Sequence, residues 1–259
     1  MKIRLITLLV LALLTSGAFY YKEKATLSYK RYQISKIQEE QFEPEKINLE
    51  PLDNSVEQVN YWSIFLDTLD DNYPEKKLLS VPFLCQNPFQ NEAGWKYHDN
   101  SCEEASLIQV LLYYENRNLI AQKAHDWIID MLDYQKPNLD LKGQAFVNFI
   151  INYLDYPQDR VFFVENSDLH LMKKILNQNI PIILPCIAKD LQNPYYNHDE
   201  YHMLTVIGYD EKHLITNDVG TKRGANFPYK NADILNANKN AMGGFFVVLP
   251  TKSSFVPSP

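Results

Sequence analysis

The sequence lacks the patterns that mark several large classes of protein. It has three cysteines in 259 residues and no C-x-x-C pair, so a zinc ribbon or a thioredoxin-like redox site has no support. It has no basic stripe, and its formal net charge of -7 argues against a nucleic-acid partner. No internal repeat is visible. What is present is a globular composition, 46% hydrophobic and 22% charged, long enough for one sizeable core or two small ones.

An uncharged stretch near the amino terminus is typical of an export element. Residues 5–21 follow two basic residues and carry no charge, a span that is short for a membrane crossing but not too short. Residues 1–21 fit a cleaved signal peptide through the small residues at 16–18. They also fit an uncleaved anchor through the aromatic end at 19–21, which we favour slightly because 16–18 match an A-x-A site only loosely. Under both interpretations the rest of the chain lies outside the cytoplasm, membrane-anchored or secreted.

Composition divides the remaining chain into a spacer, a main domain and a tail. Residues 22–76 are rich in Lys, Glu and Gln to about position 50, which predicts a spacer or a loose helix. An apolar patch at 61–66 either docks on the main domain or forms a short helix in the spacer. The main domain spans 77–251, and 252–259 form a loose tail.

Helices precede strands in the main domain. Apolar spacing predicts helices over 102–116, 120–133 and 143–154, with a fourth over 168–177. Strands are predicted over 161–164, 180–186, 202–209, 213–217 and 245–249, with an extended edge segment over 78–86 that contains Pro82. Early helices followed by clustered strands indicate an α+β fold rather than alternating α/β.

The stretch Asn-Ser-Cys-Glu-Glu-Ala-Ser at 100–106 looks like a helix start. Ser101 is a good N-cap, and Glu104 three residues later completes a capping box. Cys102 then takes the first helical position, where unpaired N–H groups and the helix dipole favour a thiolate nucleophile. Glu103 and Glu104 act in the opposite direction, because nearby like charge raises a thiol pKa. A buried structural cysteine is the alternative.

Three further residues can complete a site for thiol chemistry. His202 begins a predicted strand, and Asp218 follows the next strand sixteen residues later. An antiparallel hairpin brings residues near its open ends together, so the carboxylate can lie beside the imidazole. Gln86 stands at the end of the extended segment, where its side-chain amide can join the Cys102 N–H as an oxyanion donor.

With these residues in place, the chain resembles the C39-like cysteine peptidases, a branch of the papain-like fold, over roughly residues 77–250. Four stretches carry the resemblance: 81–86 (Val-Pro-Phe-Leu-Cys-Gln), 101–106 (Ser-Cys-Glu-Glu-Ala-Ser), 201–210 (Tyr-His-Met-Leu-Thr-Val-Ile-Gly-Tyr-Asp) and 216–221 (Thr-Asn-Asp-Val-Gly-Thr). It implies that the nucleophile helix packs on a late antiparallel sheet. It implies Cys102 as nucleophile, His202 as general base and acid, and Asp218 as the orienting acid. It also implies that Gln86 is the oxyanion donor and that the substrate is a peptide or protein. It implies no cofactor or metal.

The sequence departs from the best-known members of that family. Those members are parts of ABC transporters and cut leader peptides, whereas no transporter segment is present here. The loop between Gln86 and Cys102 is also longer than in those members. We therefore expect an exported or membrane-tethered cysteine hydrolase, most simply a peptidase, without the leader-cutting specificity. A papain-like acyltransferase or amidase and a catalytically silent peptide-binding module are the alternatives.

Several neighbouring residues admit two interpretations. Asn217 competes with Asp218 to orient the imidazole, but adjacent strand residues face opposite sides, and we favour Asp218. Cys85 and Cys186 either form a disulfide or remain thiols. His198 is four residues from His202, a metal-pair spacing that requires a helix where we predict a strand. The tyrosines 195, 196 and 201 either line a substrate cleft or cover the core edge.

Overall fold

The protein is described here by a computed structural model. It describes residues 2–41, 61–89, 98–135, 140–196 and 198–251. The predicted tail at 252–259 and much of the predicted spacer, at 42–60, lie outside the described residues. Contacts divide the chain into two compact units, Met1–Gln41 and Phe42–Pro259.

The amino-terminal unit contains one long helix, α1, Lys2–Glu39. The helix continues into the segment for which the sequence predicts a spacer or a loose helix. Within the part of the chain that the structure describes, no helix combines the length and apolar character needed to cross a membrane.

The second unit contains six helices and seven strands in its described residues. The helices are α2 (Tyr61–Asp67), α3 (Cys102–Tyr114), α4 (Ala121–Gln135), α5 (Gln144–Leu154), α6 (Leu169–Asn177) and α7 (Asn231–Ala241). The strands are β1 (Lys77–Leu78), β2 (Val161–Glu165), β3 (Ile182–Ile187), β4 (Tyr201–Tyr209), β5 (His213–Asn217), β6 (Phe227–Lys230) and β7 (Gly244–Val248). Short 3₁₀ turns occur at Gln158–Arg160 and Ala188–Leu191.

All the strands join one antiparallel sheet in the order β2-β7-β3-β4-β5-β6, with β1 added beside one end of β4. The last strand in sequence, β7, therefore lies in the interior of the sheet between β2 and β3. The predicted hairpin between 202–209 and 213–217 is present as β4 and β5, in a register that pairs Thr205 with Asn217. The predicted α+β class is confirmed.

Helices cover both faces of this sheet. Ile183, Met203 and Phe246 belong to one apolar cluster with residues of α3, α4 and α5. Their strand neighbours are also buried, and they point to the opposite face because side chains alternate along a strand. Buried residues of α6 and α7 lie outside the first cluster, and both helices contact β3. The sheet is thus a central layer, and β4 is buried along nearly its whole length.

Helix α3 is buried on all sides, because every residue from 102 to 113 is buried. A helix that is apolar around most of its circumference belongs in a core rather than at a surface. It packs against β4, as predicted for a nucleophile helix on a late sheet. The predicted capping box is wrong. Ser101 precedes the helix, but its side chain caps no N–H group, and the Glu104 carboxylate accepts from Gln135 instead.

The apolar patch at 61–66 forms a short helix and also docks on the sheet. Phe65 in α2 is 8% exposed. The Trp62 ring lies 4.9 Å from the Phe162 ring of β2, centroid to centroid. The two alternatives that the sequence left open therefore both hold, and this packing ties the end of the predicted spacer to the sheet.

Candidate active site

A cleft of about 650 Å³ lies where α3, β4 and the turn after β5 meet. Cys102, His202 and Gln86 all line it, so the structure brings three of the four predicted site residues to one cavity. Asp218 is fully buried and hydrogen-bonds His202, which lines the cleft. The roles assigned to these residues remain predictions.

His202 and Asp218 form a buried pair across the hairpin. His202 is the second residue of β4, and Asp218 follows the last residue of β5. The imidazole Nε2 lies 3.0 Å from Asp218 Oδ1. His202 is 3% exposed and Asp218 is not exposed. The antiparallel return of the chain produces this contact, as the sixteen-residue separation predicts.

Several donors converge on the Asp218 carboxylate. Oδ1 accepts a hydrogen bond from the Gly220 N–H at 3.0 Å. Oδ2 accepts from the Tyr196 hydroxyl at 2.7 Å, from Asn193 Nδ2 at 3.1 Å and from the Tyr229 hydroxyl. Burial alone would raise the pKa of Asp218, but His202 and these hydroxyl donors outweigh it and hold that pKa below its usual value. The carboxylate is therefore ionised and fixed in position.

Asn217 points to different partners. Its Nδ2 donates to the Val81 carbonyl at 3.0 Å, and its Oδ1 accepts from the Asn226 N–H at 3.2 Å. The structure therefore places Asp218, and not Asn217, against the imidazole. Asn217 instead ties the extended segment before Gln86 to the sheet.

Gly220 leaves the space that the pair needs. A Cβ atom at this position would lie 3.0 Å from His202 Cε1 and 3.3 Å from Asp218 Oδ1. Real Cβ contacts are rarely so close, so a side chain here would push the imidazole or the carboxylate away. The glycine therefore permits both the N–H contact to Asp218 and the close approach of the turn to His202.

Cys102 occupies the first position of α3, as predicted, but its thiol has an unexpected partner. Sγ donates to Glu103 Oε2 at 3.1 Å and accepts from the Met203 N–H. The structure shows no hydrogen bond between Cys102 and His202, both of which it describes. Burial and, next, the Glu103 carboxylate raise the pKa of Cys102 well above its usual value, although the Met203 N–H opposes them. The predicted thiolate-favouring effect of the helix start is therefore outweighed in this state.

The two glutamates after Cys102 are buried, which the sequence analysis did not foresee. Neither Glu103 nor Glu104 is exposed. Glu103 Oε1 accepts from the Leu141 N–H at 3.0 Å, and Glu104 Oε1 accepts from Gln135 Nε2 at 2.7 Å. Burial raises the pKa of Glu103 to about 7 and raises that of Glu104 well above its usual value. The signal available in the sequence was the position of both glutamates directly after a candidate nucleophile, at the start of a largely apolar helix.

Gln86 connects the extended segment to the loop in front of Cys102. Its side-chain Nε2 donates to the His98 carbonyl at 2.9 Å and to the Asp99 carbonyl at 3.0 Å. Its main-chain N–H donates to the Val219 carbonyl at 2.8 Å. Both hydrogens of the amide therefore hold the approach to α3 in this state. The role of Gln86 as oxyanion donor stays a prediction.

The tyrosines near His202 have separate positions. Tyr196 and Tyr201 line the cleft, whereas Tyr195 packs edge-on against Phe227. Two of these tyrosines therefore line the predicted cleft, and the third packs against the core edge. Tyr196 also belongs to the Asp218 hydrogen-bond network, which links the cleft wall to the buried pair.

The other candidate residues are the remaining cysteines and His198, of which Cys85 and His198 also line the cleft. All three cysteines are thiols, and no disulfide joins Cys85 to Cys186. Cys186 is buried on β3 directly opposite His202 in the strand register. His198 lies 3.3 Å from Glu200, measured from Nδ1 to Oε2. Within the described ranges, no three or more His, Cys, Asp or Glu side chains are grouped to hold a metal ion.

Comparison with known proteins gives a family match. A model of the Peptidase C39-like family matches residues 78–242. Among solved structures, a protein described as a C39-like peptidase from Bacillus anthracis is 14% identical, with a TM-score of 0.49 over 70% of this chain and 100% of its own. Xylellain, a cysteine protease from Xylella fastidiosa, is 11% identical, with a TM-score of 0.46 over 82% of this chain and 96% of its own. A search of curated proteins finds no match.

Proposed function

Because the chain belongs to the Peptidase C39-like family, we propose that it is a cysteine peptidase that hydrolyses peptide bonds. One observation carries the proposal. The thiol at the start of α3 and an imidazole held by a buried, ionised Asp218 line the same cleft. Nucleophilic hydrolysis needs a thiol, a base near it and a group that orients the base.

We propose a task for each residue. The Asp218 contact occupies His202 Nε2, which leaves Nδ1 as the nitrogen for proton transfer. On attack the Cys102 sulfur bonds the substrate carbonyl carbon, and the thiol proton passes to that nitrogen. His202 then gives the proton to the leaving amine and later activates water to release the acyl group.

The negative oxygen formed in this step needs donors. The Cys102 N–H has no intrahelical partner, because it belongs to the first turn of α3. Gln86 lines the same cleft, but its amide bonds two carbonyl groups in the resting state. To serve the oxyanion it exchanges one of them for the substrate oxygen. Such a donor contributes about 10²- to 10³-fold to the rate.

A peptide library incubated with the full chain tests the proposal. We expect cleavage by the wild type and a loss of about 10³-fold or more in Cys102→Ala and in His202→Ala. A thioester on Cys102, trapped at low pH and found by mass spectrometry, identifies the nucleophile. Products formed only with an added amine would instead show acyl transfer. Peptide binding without any cleavage would overturn the proposal and show that the protein is a peptide-binding module.

We also propose that the amino-terminal segment exports the protein. The support is the pattern of residues 1–21, two basic residues followed by an uncharged stretch. Cell fractionation with Edman sequencing of the mature chain tests it. A new amino terminus near residue 18 shows cleavage, an intact amino terminus in the membrane fraction shows anchoring, and an intact chain in the cytosol overturns export.

A further inference from the structure

We propose that Glu103 is a positioning residue that holds the Cys102 thiol neutral and turned away from His202 in the resting protein. The proposal concerns a residue that the proposed peptidase mechanism does not use. It rests on that mechanism only for the identity of Cys102 as the nucleophile.

The first support is the direct contact between the two side chains. Cys102 Sγ donates to Glu103 Oε2 at 3.1 Å, with Cys102 4% exposed and Glu103 not exposed. Because both side chains are almost completely buried, the contact is stronger than its counterpart at a surface. The S–H bond is intact in this arrangement, and its hydrogen faces the carboxylate.

The second support is that Glu103 is itself fixed. Its other oxygen accepts from the Leu141 N–H at 3.0 Å. Leu141 lies in the segment between α4 and α5, beside Asp140, which lines the cleft. The carboxylate therefore bridges the nucleophile to the cleft wall and cannot simply rotate into solvent.

The third support is the charge around the sulfur. On α3 the sulfur is close to Glu103 and Glu104, and Asp140 of the connecting segment acts on Glu103 rather than on the sulfur. From β4 it meets the Tyr201 hydroxyl side chain and the Met203 N–H, and Lys142 lies over the Tyr201 ring at 4.5 Å. Of these groups, the Met203 N–H is the one that stabilises a thiolate by direct contact. Burial and the carboxyl groups of Glu103 and Glu104 oppose a thiolate, which keeps the resting sulfur protonated.

The proposal has a chemical consequence for the reaction. A neutral thiol is a poor nucleophile, so attack requires Sγ to leave Glu103 and give its proton to His202 as the S–C bond forms. The resting protein would then hold a neutral thiol rather than the thiolate of a preformed ion pair. Glu103 would raise the barrier to non-specific alkylation or oxidation of Cys102.

The test compares the alkylation of Cys102 in the full chain across pH 5 to 10. Wild type, Glu103→Gln and Glu104→Gln are treated with limiting iodoacetamide, and each cysteine is mapped by mass spectrometry. Glutamine at 103 keeps an acceptor for the Leu141 N–H and offers the sulfur a donor in place of a negative charge. We expect the pKa of Cys102 to fall by one unit or more, so that alkylation at pH 7 rises about tenfold or more.

Glu104→Gln is the matched control, because it removes a neighbouring buried carboxyl that contacts Gln135 and not the thiol. We expect its alkylation rate at pH 7 to stay within about threefold of the wild type, since Glu104 makes no hydrogen bond to the sulfur and burial disfavours its charged form. Equal rate increases in both variants, or no increase in Glu103→Gln, would overturn the proposal.

A second measurement needs no change at position 103. The infrared S–H stretching band assigned by its loss in Cys102→Ser should be present at pH 7 in the wild type and shifted to lower frequency by the carboxylate. Absence of that band at pH 7 would show a thiolate and overturn the proposal. Both readouts are independent of peptide cleavage. The proposal for Glu103 can therefore hold in a protein that cuts no peptide, and it can be overturned in an active peptidase.

Discussion

At the scale of single residues, Asp218 has the most partners of the candidate site residues. We expect Asp218→Asn to lower kcat/KM on a cleaved peptide by about 10³- to 10⁴-fold, because the imidazole loses the charge and acceptor that fix its tautomer. Asn217→Ala is the control. It removes the contacts to Val81 and Asn226 and should lower stability while changing kcat/KM by less than about tenfold. Comparable losses of activity in the two variants would contradict the assignment.

The same substitution has a pH signature. The pKa of Asp218 is lower in the folded chain than in the unfolded chain, so the ionised carboxylate contributes stability above its usual pKa of 3.8. That contribution disappears as the pH falls through the depressed folded pKa. We expect Asp218→Asn to lower the free energy of unfolding at pH 7 by about 1 to 3 kcal/mol, and the difference to shrink in acid. Urea denaturation at pH 7 and pH 3.5 measures it.

The sequence could predict the His202–Asp218 contact but not the Cys102–Glu103 contact. The first follows from hairpin topology, because two strands and a short turn fix which residues meet. The second depends on a tertiary feature, the approach of Leu141 to the start of α3. Local pattern also suggested that Ser101 and Glu104 cap the helix, whereas burial gave Glu104 a distant partner in Gln135.

At the scale of elements, α3 contains a buried titratable group, Glu104, that makes the stability of the fold depend on pH. The pKa of Glu104 is raised well above 4.5 by burial, so the folded chain binds a proton that the unfolded chain releases. Stability attributable to this group is therefore highest below pH 4.5 and falls as the pH rises toward the folded pKa. We expect Glu104→Gln to raise the free energy of unfolding at pH 8 by about 1 to 3 kcal/mol, with little change at pH 4.

Urea denaturation at the two pH values checks this expectation. Glu165→Gln, which removes an exposed carboxyl at the end of β2, serves as the control. A gain of equal size at pH 4 and pH 8 would point to packing rather than to proton binding as the cause.

The elements that the sequence analysis missed were β6 and α7. Helix α7 has the sequence Asn-Ala-Asp-Ile-Leu-Asn-Ala-Asn-Lys-Asn-Ala, in which asparagine is a poor helix former and the apolar stripe is short. Strand β6 has four residues and contains Pro228. Tertiary contacts compensate, since Ile234 and Ala237 are fully buried and Asn238 Nδ2 donates to the Pro185 and Gly244 carbonyls. By contrast, α3 to α6 are apolar at regular spacing and were recovered from pattern alone.

At the scale of the whole molecule, the position of β7 predicts how the chain tolerates truncation. A chain ending at residue 251 keeps β7 and the Leu249 contacts to Arg160 and Tyr156. A chain ending at residue 242 loses a strand from the interior of the sheet. We expect the longer chain to unfold cooperatively with a Tm close to that of the full chain, and the shorter chain to show no cooperative transition by circular dichroism.

A cooperative transition in the shorter chain within a few degrees of the full chain would show that β2 and β3 pair without β7. The expected loss is larger than that of an edge strand, because two sets of ladder hydrogen bonds and both packed faces disappear together.

The interior place of β7 also sets when the chemistry becomes available during protein synthesis. The ribosome has already added the thiol, the imidazole and the carboxylate to the chain by residue 218, yet the strand that closes the sheet ends at residue 248. Non-local strand pairing must wait for its last participant. A nascent chain, or one made from a broken message, therefore carries every reactive group without the framework that aligns them. An activity that needs this alignment therefore has to wait until translation has passed β7.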